Sequence, residues 1–334
     1  MFEVRRGTIR GDDLTVPAPV TPRAVGERIA YAALPDGLRS WIDSELGEPV
    51  VEAAPQTGGM SPGPAARLVL ADGRRYFVKA VGHELNTGTP RLFRHEIDVL
   101  RRLPPVDYRP SLVASYDDGD WLALVLEDVE GHHPNLSDPA QIGAAREVIR
   151  AQSRELTPDP VRIESETLGA SVSRWLEEIR GVDEHVHELL PRWWLAHEAG
   201  LLARLATLPD RLPGECWCHL DIRDDNLLVR PDGSVVVLDW GMSRPGPPWV
   251  DEVLLDLHDV TVPVFDRRVS RIPAYGVPSD EGRQETVTDL LLVLGMSLAV
   301  ISHHQAPPGL PRLMSFRRAE SHRLLVGARR RLGL

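Results

Sequence analysis

Hydrophobic and polar positions in the first 130 residues predict one short helix followed by a small β-sheet. Apolar residues recur at helical spacing after Pro35, and the segments that follow are short β-prone runs. The runs are separated by the glycine-containing stretch 56–63 and by an Asp-Gly turn at 72–73. The pattern predicts a helix at 38–46 and strands at 50–54, 65–70, 76–79 and 121–126.

Helical periodicity dominates the rest of the chain. Apolar positions recur every three or four residues, and β-prone runs persist mainly in one hairpin near residue 230. We therefore expect a sheet-containing first part and a mainly α-helical second part. The predicted helices are 91–103, 141–154, 168–179, 187–208, 290–301 and 312–331. The first of them still belongs to the sheet-containing part.

The hairpin in the second part brings polar residues of chemical interest together. Two apolar runs flank the sequence Arg-Pro-Asp-Gly-Ser at 230–234, and an Asp-Gly pair in such a gap is a strong hairpin signal. A turn centred on this pair places Asn226 opposite Asp239. An amide oxygen and a carboxylate at the mouth of one hairpin suit Mg²⁺. Asp221, on the loop that enters the first strand, is placed to orient a hydroxyl group and accept its proton.

Cation usage singles out one position in the first part. Of the 38 basic residues 37 are Arg, and the remaining one is Lys79. Lysine carries a compact charge on a flexible stem and binds phosphate as a point charge, which the planar Arg fork does not reproduce. Lys79 is therefore a candidate phosphate-binding residue, with chance survival of a single lysine as the alternative.

An acidic residue lies among the apolar positions of the predicted helix 91–103. Glu96 occupies the stripe that faces the core, where a carboxylate is unfavourable unless it is paired. Lys79 is one candidate partner. The alternative is a half-exposed Glu96 that pairs with Arg91 or Arg102 at the surface.

Overall composition narrows the possible partners and the location. A net charge of −11 over 334 residues argues against nucleic acid or an anionic membrane as the main partner. The N-terminus has no signal-peptide apolar region, and the apolar run 290–301 is too short to span a membrane, so we expect a cytoplasmic protein. Cys216 and Cys218 make no disulfide framework and are expected to be small buried residues.

The polar residues around the hairpin resemble the catalytic residues of kinases. Residues 219–226 have the pattern His-x-Asp-x-x-x-x-Asn, which is the spacing of the protein-kinase catalytic loop, and Asp-Trp-Gly at 239–241 stands where those enzymes have Asp-Phe-Gly. Leu220 replaces the usual Arg, and a compact proline-containing segment, 244–251, follows. With these features the sequence resembles the aminoglycoside phosphotransferase family of kinase-like small-molecule kinases.

The resemblance implies an α+β, protein-kinase-like bilobal fold. Such a fold has a small antiparallel-sheet N-lobe and a mainly α-helical C-lobe joined by a hinge, which residues 127–131 resemble. The domains implied are an N-terminal extension at 1–34, an N-lobe at 35–130 and a C-lobe at 131–334.

The resemblance also implies ATP and Mg²⁺ as cofactors and assigns roles to individual residues. Asp221 would face the acceptor hydroxyl, while Asn226 and Asp239 would bind the metal. His219 would support the catalytic loop structurally, and Asp251 would either cap a helix or hold the catalytic-loop backbone. The residues assigned to nucleotide binding are Gly58, Gly59, Ser61, Lys79, Glu96 and, through the hinge backbone, Glu127 and Val129.

The expected reaction is ATP-dependent phosphorylation of a hydroxyl group on a small molecule, such as an aminoglycoside or another antibiotic. The segment after Asp239 is short and contains no Ala-Pro-Glu, so a peptide-docking platform is not expected. Residues 131–300 hold 28 acidic residues against 16 Arg, which suits a cationic acceptor, although a solvated acidic surface gives the same count. A housekeeping kinase for a choline-like or amino-alcohol metabolite and a catalytically silent nucleotide-binding module remain as alternatives.

Overall fold

The computed structural model describes residues 26–273 and 280–334. A five-stranded sheet with two helices is followed by a mainly helical part that holds two further two-stranded sheets. The strands are β1 (Val50–Pro55), β2 (Ala65–Leu70), β3 (Arg75–Gly82), β4 (Leu112–Asp117), β5 (Trp121–Glu127), β6 (Cys216–Cys218), β7 (Leu227–Val229), β8 (Val235–Val237) and β9 (Arg244–Gly246). The α-helices are α1 (Asp36–Leu46), α2 (Thr89–Leu100), α3 (Pro139–Glu155), α4 (Leu168–Arg180), α5 (Glu184–Glu188), α6 (Arg192–Leu205), α7 (Val250–Leu255), α8 (Pro263–Val269), α9 (Asp280–Ile301) and α10 (Leu313–Leu332).

The five-stranded sheet places Lys79 on the face that α2 covers. The strand order is β1-β2-β3-β5-β4, and every neighbouring pair is antiparallel. Val78 and Ala80 of β3 belong to an apolar cluster with Leu38 and Ile42 of α1. Because side chains alternate along a strand, Lys79 points to the opposite face, where α2 lies.

The last part of the predicted N-terminal extension packs against the sheet. Leu34 is 3% exposed and joins the apolar cluster at α1. The Gly26 amide donates a hydrogen bond to the Gly59 carbonyl at 2.8 Å. Packing against the sheet therefore begins upstream of residue 35, the boundary predicted from the sequence. The prediction places the boundary too late because these contacts leave no periodic pattern in the sequence. Residues 1–25 lie outside the described residues.

Helix α2 begins two residues before the predicted start and ends at Leu100 rather than at residue 103. The side chain of Asn86 accounts for the early start, since its Oδ1 atom accepts hydrogen bonds from the amides of Gly88 and Thr89 at 2.9 and 2.8 Å. These bonds satisfy amide groups that have no partner within the helix. Pro90 in the first turn fits the same geometry.

The predicted helix 187–208 is two helices, α5 and α6. Pro191 immediately precedes α6 and cannot continue a helix from α5, because proline lacks the amide hydrogen and its ring clashes with the preceding turn. The remaining predicted helices of the second part have counterparts in α3, α4, α9 and α10.

Helix α9 is the central helix of the second part. Residues 282–301 are long and apolar enough to cross a membrane by length and composition, but 72% of the most apolar window is buried inside the protein. Val287, Leu292 and Met296 are completely buried. The apolar run at 290–301 that sequence singles out is thus the core-facing segment of a longer helix, against which α10 packs.

Candidate active site

The hairpin β7–β8 brings Asn226 and Asp239 to its mouth in a register that differs from the predicted one by one residue. Leu227 pairs with Val237, and the Leu238 amide donates to the Asn226 carbonyl at 2.8 Å, so Asn226 lies opposite Leu238 and not opposite Asp239. The cause is a three-residue loop in which Gly233, at φ 85°, takes the left-handed position. A loop of three residues moves the centre of the turn to Asp232.

Asp239 leaves the hairpin in a left-handed conformation, with φ at 63°. Its Oδ1 atom lies 3.1 Å from the Nζ atom of Lys79, and its side chain is 52% exposed. The surrounding protein opposes ionisation of Asp239, but the charge and hydrogen bond of Lys79 outweigh this, and the pKa of Asp239 lies below its ordinary value. Asp239 is therefore an ionised carboxylate with an accessible oxygen.

Lys79 and Glu96 form the buried ion pair that sequence offers as one alternative. The Nζ atom of Lys79 lies 2.5 Å from the Oε2 atom of Glu96, and their side chains are 11% and 2% exposed. Glu96 is thus not the half-exposed surface residue of the other alternative. Burial raises the pKa of Glu96 to about 7. Burial would lower the pKa of Lys79, but Asp239 and Glu96 together raise it, so Lys79 stays an ammonium ion.

The catalytic loop joins Asp221 to Asn226. The Nδ2 atom of Asn226 donates to the backbone carbonyl of Asp221 and to its Oδ2 atom, both at 2.8 Å. The Oδ1 atom of Asn226 is thereby left as the side chain's free acceptor. Burial raises the pKa of Asp221 to about 7, and the neighbouring Arg223 guanidinium opposes this rise.

His219 links the loop that carries Asp221 to the end of β8, which leads to Asp239. Its Nε2 atom lies 2.8 Å from the carbonyl of Leu238, and the Asp221 amide donates to its Nδ1 atom at 3.2 Å. A carbonyl only accepts, so the ring carries its proton on Nε2 and is neutral. Burial agrees with this assignment because it lowers the pKa of His219.

Asp251 holds the backbone of the catalytic loop, which is one of the two roles that sequence leaves open. Its carboxylate accepts hydrogen bonds from the amides of His219 and Leu220 at 2.8 and 2.9 Å. Trp249, and not Asp251, occupies the N-cap position of α7. Leu220 has φ at 60°, a strained value for a branched side chain, and the bond to Asp251 fixes it there.

The glycine-rich stretch 56–63 lies over β3 with its backbone closely packed. A Cβ atom on Gly63 would lie 1.7 Å from the Ala80 carbonyl oxygen, so only glycine fits. Gly58 and Gly59 both have positive φ, at 115° and 75°. The Oγ atom of Ser61 is buried and has no hydrogen-bond partner among residues 26–273 and 280–334.

The predicted hinge is anchored to the sheet by two arginines. Asp128 lies 3.2 Å from Arg67 and 3.0 Å from Arg75, and Arg67 also donates to the Val129 carbonyl at 2.7 Å. The bond from Arg67 occupies the carbonyl group of Val129. Within the described parts of the chain the Val129 amide has no backbone acceptor. Glu127, two residues earlier, is the last residue of β5.

Two residues near the site were not predicted. Phe77 precedes Lys79 by two positions on β3, so it lies on the same face of the sheet and is half-buried. Strand alternation was the signal that could have found it. Arg28 donates three hydrogen bonds to the carbonyls of Gly58 and Gly63. No sequence pattern indicates Arg28, because it precedes the sheet in a segment without periodicity.

Within the described residues no group of three or more His, Cys, Asp or Glu side chains could hold a metal ion by itself. Asn226 and Asp239 supply oxygen atoms only, which is the donor set that Mg²⁺ prefers. Mg²⁺ in such sites keeps several water molecules and is completed by phosphate oxygens. The residues present therefore fit a magnesium ion that is bound together with a phosphorylated ligand.

Comparisons with known proteins give the fold and the family. The family model described as APH, phosphotransferase enzyme family, matches residues 64–264. A search of the curated proteins with this sequence found no match. The structure is similar to an aminoglycoside phosphotransferase from Alicyclobacillus acidocaldarius at a TM-score of 0.52 and 17% identity, covering 85% of this chain and 92% of that chain.

Two further solved structures share the fold. Choline kinase LicA from Streptococcus pneumoniae matches with a TM-score of 0.59 and 16% identity, covering 87% of this chain and 97% of that chain. The ADP-bound aminoglycoside phosphotransferase APH(2'')-Ib matches with a TM-score of 0.55 and 14% identity, covering 89% and 99%. Identities this low carry the fold alone.

These similarities confirm the predicted α+β, kinase-like bilobal fold, with a small antiparallel sheet in one lobe and mainly helices in the other. The matched segment 64–264 spans more than half of the chain and contains Lys79 together with the catalytic-loop hairpin. The protein therefore belongs to the APH phosphotransferase enzyme family and is a small-molecule phosphotransferase.

Proposed function

We propose that the protein transfers the terminal phosphoryl group of ATP to a hydroxyl group of a small molecule, with Mg²⁺ as its metal cofactor. The observation that carries this proposal is the chain of contacts at one cleft. Glu96 on α2 pairs with Lys79 on β3, and Lys79 pairs with Asp239 at the mouth of the hairpin. Asp221 and Asn226 are joined on the adjoining loop.

The nucleotide would bind between the glycine-rich stretch and the hinge. Gly58 and Gly59 have no side chains to block the approach of phosphates to the backbone. The hydroxyl of Ser61, which has no partner among the described residues, is available as a donor. Lys79, oriented by Glu96, would bind phosphate oxygens. The Val129 amide, which has no backbone acceptor in the described part of the chain, and the Glu127 backbone would bind the base.

Asn226 and Asp239 would hold the magnesium ion. When bound, Mg²⁺ neutralises the charge of the phosphate oxygens. Asp239 suits this role because Lys79 keeps it ionised and because about half of its side chain is accessible. Asn226 suits it because its Nδ2 atom is engaged by Asp221, which leaves the Oδ1 atom as the ligand.

Asp221 would receive the proton of the acceptor. The hydroxyl oxygen forms a bond to the terminal phosphorus atom, its proton passes to the carboxylate of Asp221, and the bond from phosphorus to the bridging oxygen breaks to release ADP. Asn226 and the His219 ring hold Asp221 in place through its side chain and its amide. Catalysis then consists of positioning and electrostatic stabilisation.

For the acceptor we propose a cationic, hydroxyl-bearing small molecule such as an aminoglycoside or another antibiotic. The acidic balance of residues 131–300 supports a cation. Two of the similar structures are aminoglycoside phosphotransferases, and a third is a choline kinase, which favours a choline-like or amino-alcohol metabolite as the second candidate. Dependence on ATP supports a cytoplasmic location.

A phosphotransfer screen tests the proposal. The full-length protein is incubated with ATP and Mg²⁺ over aminoglycosides, other hydroxylated antibiotics, choline and amino alcohols, and ADP release is measured with mass detection of the product. We expect one acceptor class to be phosphorylated. Removal of Mg²⁺ with a chelator is expected to abolish the reaction.

Asp221→Asn is the diagnostic variant and Asp232→Asn its matched control, because Asp232 lies on the exposed turn of the same hairpin. Loss of activity in the first variant alone supports the assignment of Asp221. Unchanged activity in Asp221→Asn contradicts it. Tight ATP binding without phosphorylation of any acceptor favours a catalytically silent nucleotide-binding module.

A further inference from the structure

Arg28 lies inside the curve of the glycine-rich stretch. Its Nε and Nη2 atoms donate to the Gly58 carbonyl at 3.2 and 2.5 Å, and its Nη1 atom donates to the Gly63 carbonyl at 3.2 Å. A Cβ atom on Gly59 would lie 2.5 Å from the Nη2 atom. The absence of a side chain at Gly59 is therefore what lets the guanidinium lie against this part of the loop.

The backbone on both sides of Arg28 is hydrogen-bonded to the same stretch. The Gly26 amide donates to the Gly59 carbonyl at 2.8 Å, and the Ile29 amide donates to the Pro62 carbonyl at 3.1 Å. These bonds hold the segment 26–29 along the glycine-rich stretch. Arg28 is thus fixed at the loop by its main chain as well as by its side chain.

The charge of Arg28 is not neutralised locally. Its hydrogen-bond partners are carbonyl groups, and in the part of the chain that the structure describes no carboxylate lies within ion-pair distance of it. Asp239 is the carboxylate whose charge acts on Arg28 across the cleft. A guanidinium has five N–H donors, of which three are used here, so two remain for a ligand.

A second unsatisfied donor lies on the same stretch. The buried hydroxyl of Ser61 has no partner among the described residues. An uncompensated guanidinium, a free hydroxyl and a glycine backbone together form a site for an anion with several oxygens. This site adjoins the cleft that contains Lys79 and Asp239.

We propose that Arg28 binds the phosphate chain of the nucleotide and so acts as a second cationic phosphate ligand beside Lys79. This inference rests on the proposed function. Arg28 lies upstream of residues 64–264, the segment that matches the family model. Its planar fork supplies directed donors, whereas Lys79 supplies a point charge.

Direct binding of nucleotides, without any acceptor, tests the proposal. Affinities of ATP, ADP and AMP with Mg²⁺ are measured by calorimetry for the full-length wild type, Arg28→Gln and Arg28→Lys. Loss of a charge-assisted hydrogen bond is expected to weaken ATP binding by about tenfold or more. AMP binding is expected to change by less than about twofold. Arg28→Lys keeps the charge but not the fork, so an intermediate ATP affinity is expected.

Arg39→Gln is the matched control, since Arg39 lies on α1 and pairs with the exposed Asp36. Within residues 26–273 and 280–334 it forms no hydrogen bond or ion pair with the glycine-rich stretch. The control is expected to bind all three nucleotides like the wild type. Thermal unfolding of each variant shows whether the fold is retained.

Four results would overturn the role of Arg28. The first three are unchanged ATP binding in Arg28→Gln, an equal loss for ATP and AMP, and tighter ATP binding, which would mean that Arg28 blocks the site. An Arg28→Lys variant no better than Arg28→Gln would mean that Arg28 only shapes the loop, and this too overturns the proposal. Failure of the wild type to bind ATP would instead overturn the proposed function.

Discussion

At the residue scale, Glu96 is one of the side chains that connect the two lobes at the site. Its Oε2 atom pairs with Lys79, and its Oε1 atom accepts the Trp240 amide at 3.3 Å. Trp240 directly follows Asp239, whose left-handed backbone is strained for a residue with a side chain. Glu96 therefore fixes both Lys79, the proposed phosphate ligand, and the main chain beside Asp239, the proposed metal ligand. Its burial, with 2% of the side chain exposed, follows from this double role.

We predict that Glu96→Gln lowers kcat by about ten- to a hundredfold, the effect of losing one buried charge-assisted hydrogen bond. The amide oxygen of glutamine still serves the Trp240 amide, but Lys79 loses its orienting charge. Steady-state kinetics with varied ATP measures the effect. Thermal unfolding checks that the fold is kept.

Glu45→Gln is the control for Glu96→Gln, because Glu45 is an exposed residue of α1 on the far side of the sheet. It should leave the kinetics unchanged. Wild-type kcat in Glu96→Gln would mean that Lys79 is oriented by Asp239 alone.

At the scale of elements, sequence reasoning found most strands and most helices, but it missed β4 and β9 and placed several registers and ends wrongly. The strand β2 was predicted to the residue, since its alternation is regular. The β7–β8 register differed by one residue because the left-handed conformation of Gly233 lengthens the loop. The start of α2 depends on a side chain outside the helix, Asn86, which periodicity cannot indicate. Loop geometry and a side-chain cap decide these features, and hydrophobic periodicity reports neither of them.

Helix α10 packs closely against the segment that follows α7, and Gly327 of α10 lies at this contact. A Cβ atom there would lie 2.7 Å from both the carbonyl oxygen and the Cγ2 atom of Val260. We predict that Gly327→Ala lowers the free energy of unfolding by about 1–3 kcal/mol, since a backbone atom must move. Urea unfolding measures the change.

Gly200→Ala is the matched control for Gly327→Ala. Gly200 lies in α6 with no atom within 4 Å of its added Cβ, so alanine should stabilise the helix by about 0.5–1 kcal/mol. Equal effects of the two substitutions would contradict the packing argument.

The contact of α8 with α10 has a predictable pH dependence. Asp266 of α8 accepts from Arg330 at 2.9 Å and also pairs with Arg331. Partial burial opposes ionisation of Asp266, but the two arginines outweigh it and lower its pKa. A lowered pKa gives stability that is present above the unfolded pKa, about 3.9, and is lost as the pH falls through the folded value.

We therefore predict that Asp266→Asn reduces the free energy of unfolding at pH 7 and that the difference from the wild type shrinks as the pH falls below about 4. Urea unfolding over a pH series measures it. Asp98→Asn, at a side chain that is 55% exposed on α2, is the control and should show little effect at any pH. A difference that is constant with pH would rule out the ion pairs as its cause.

At the scale of the whole molecule, the two lobes are joined at several places besides the hinge, such as the bond from the Val237 amide to the Tyr108 carbonyl at 2.8 Å. Two of these junctions bear on the cleft. The first is the site itself, through Lys79 and Asp239. The second is the segment 302–312 between α9 and α10, which returns to the sheet lobe. There the Nδ2 atom of Asn86 donates to the Pro308 carbonyl at 2.8 Å. The contact of this segment with the sheet lobe cannot be predicted from the sequence, because the segment is rich in proline and shows no hydrophobic periodicity.

The second junction should control how firmly the lobes are held around the cleft. Asn86 is 4% exposed and has two separate roles: its Oδ1 atom caps the start of α2, and its Nδ2 atom binds the segment 302–312.

Asn86→Asp separates these roles, since a carboxylate keeps the acceptor for the helix but presents an oxygen to the Pro308 carbonyl. We predict faster amide hydrogen exchange in residues 305–312, with α2 still protected, and ATP binding weakened several-fold because α2 carries Glu96. Asn135→Asp, at an exposed residue of the other lobe, is the control and should leave both unchanged. Unchanged exchange in residues 305–312 would mean that the bond from Asn86 to the Pro308 carbonyl does not hold this segment, and the cleft would then be held by the other contacts between the lobes.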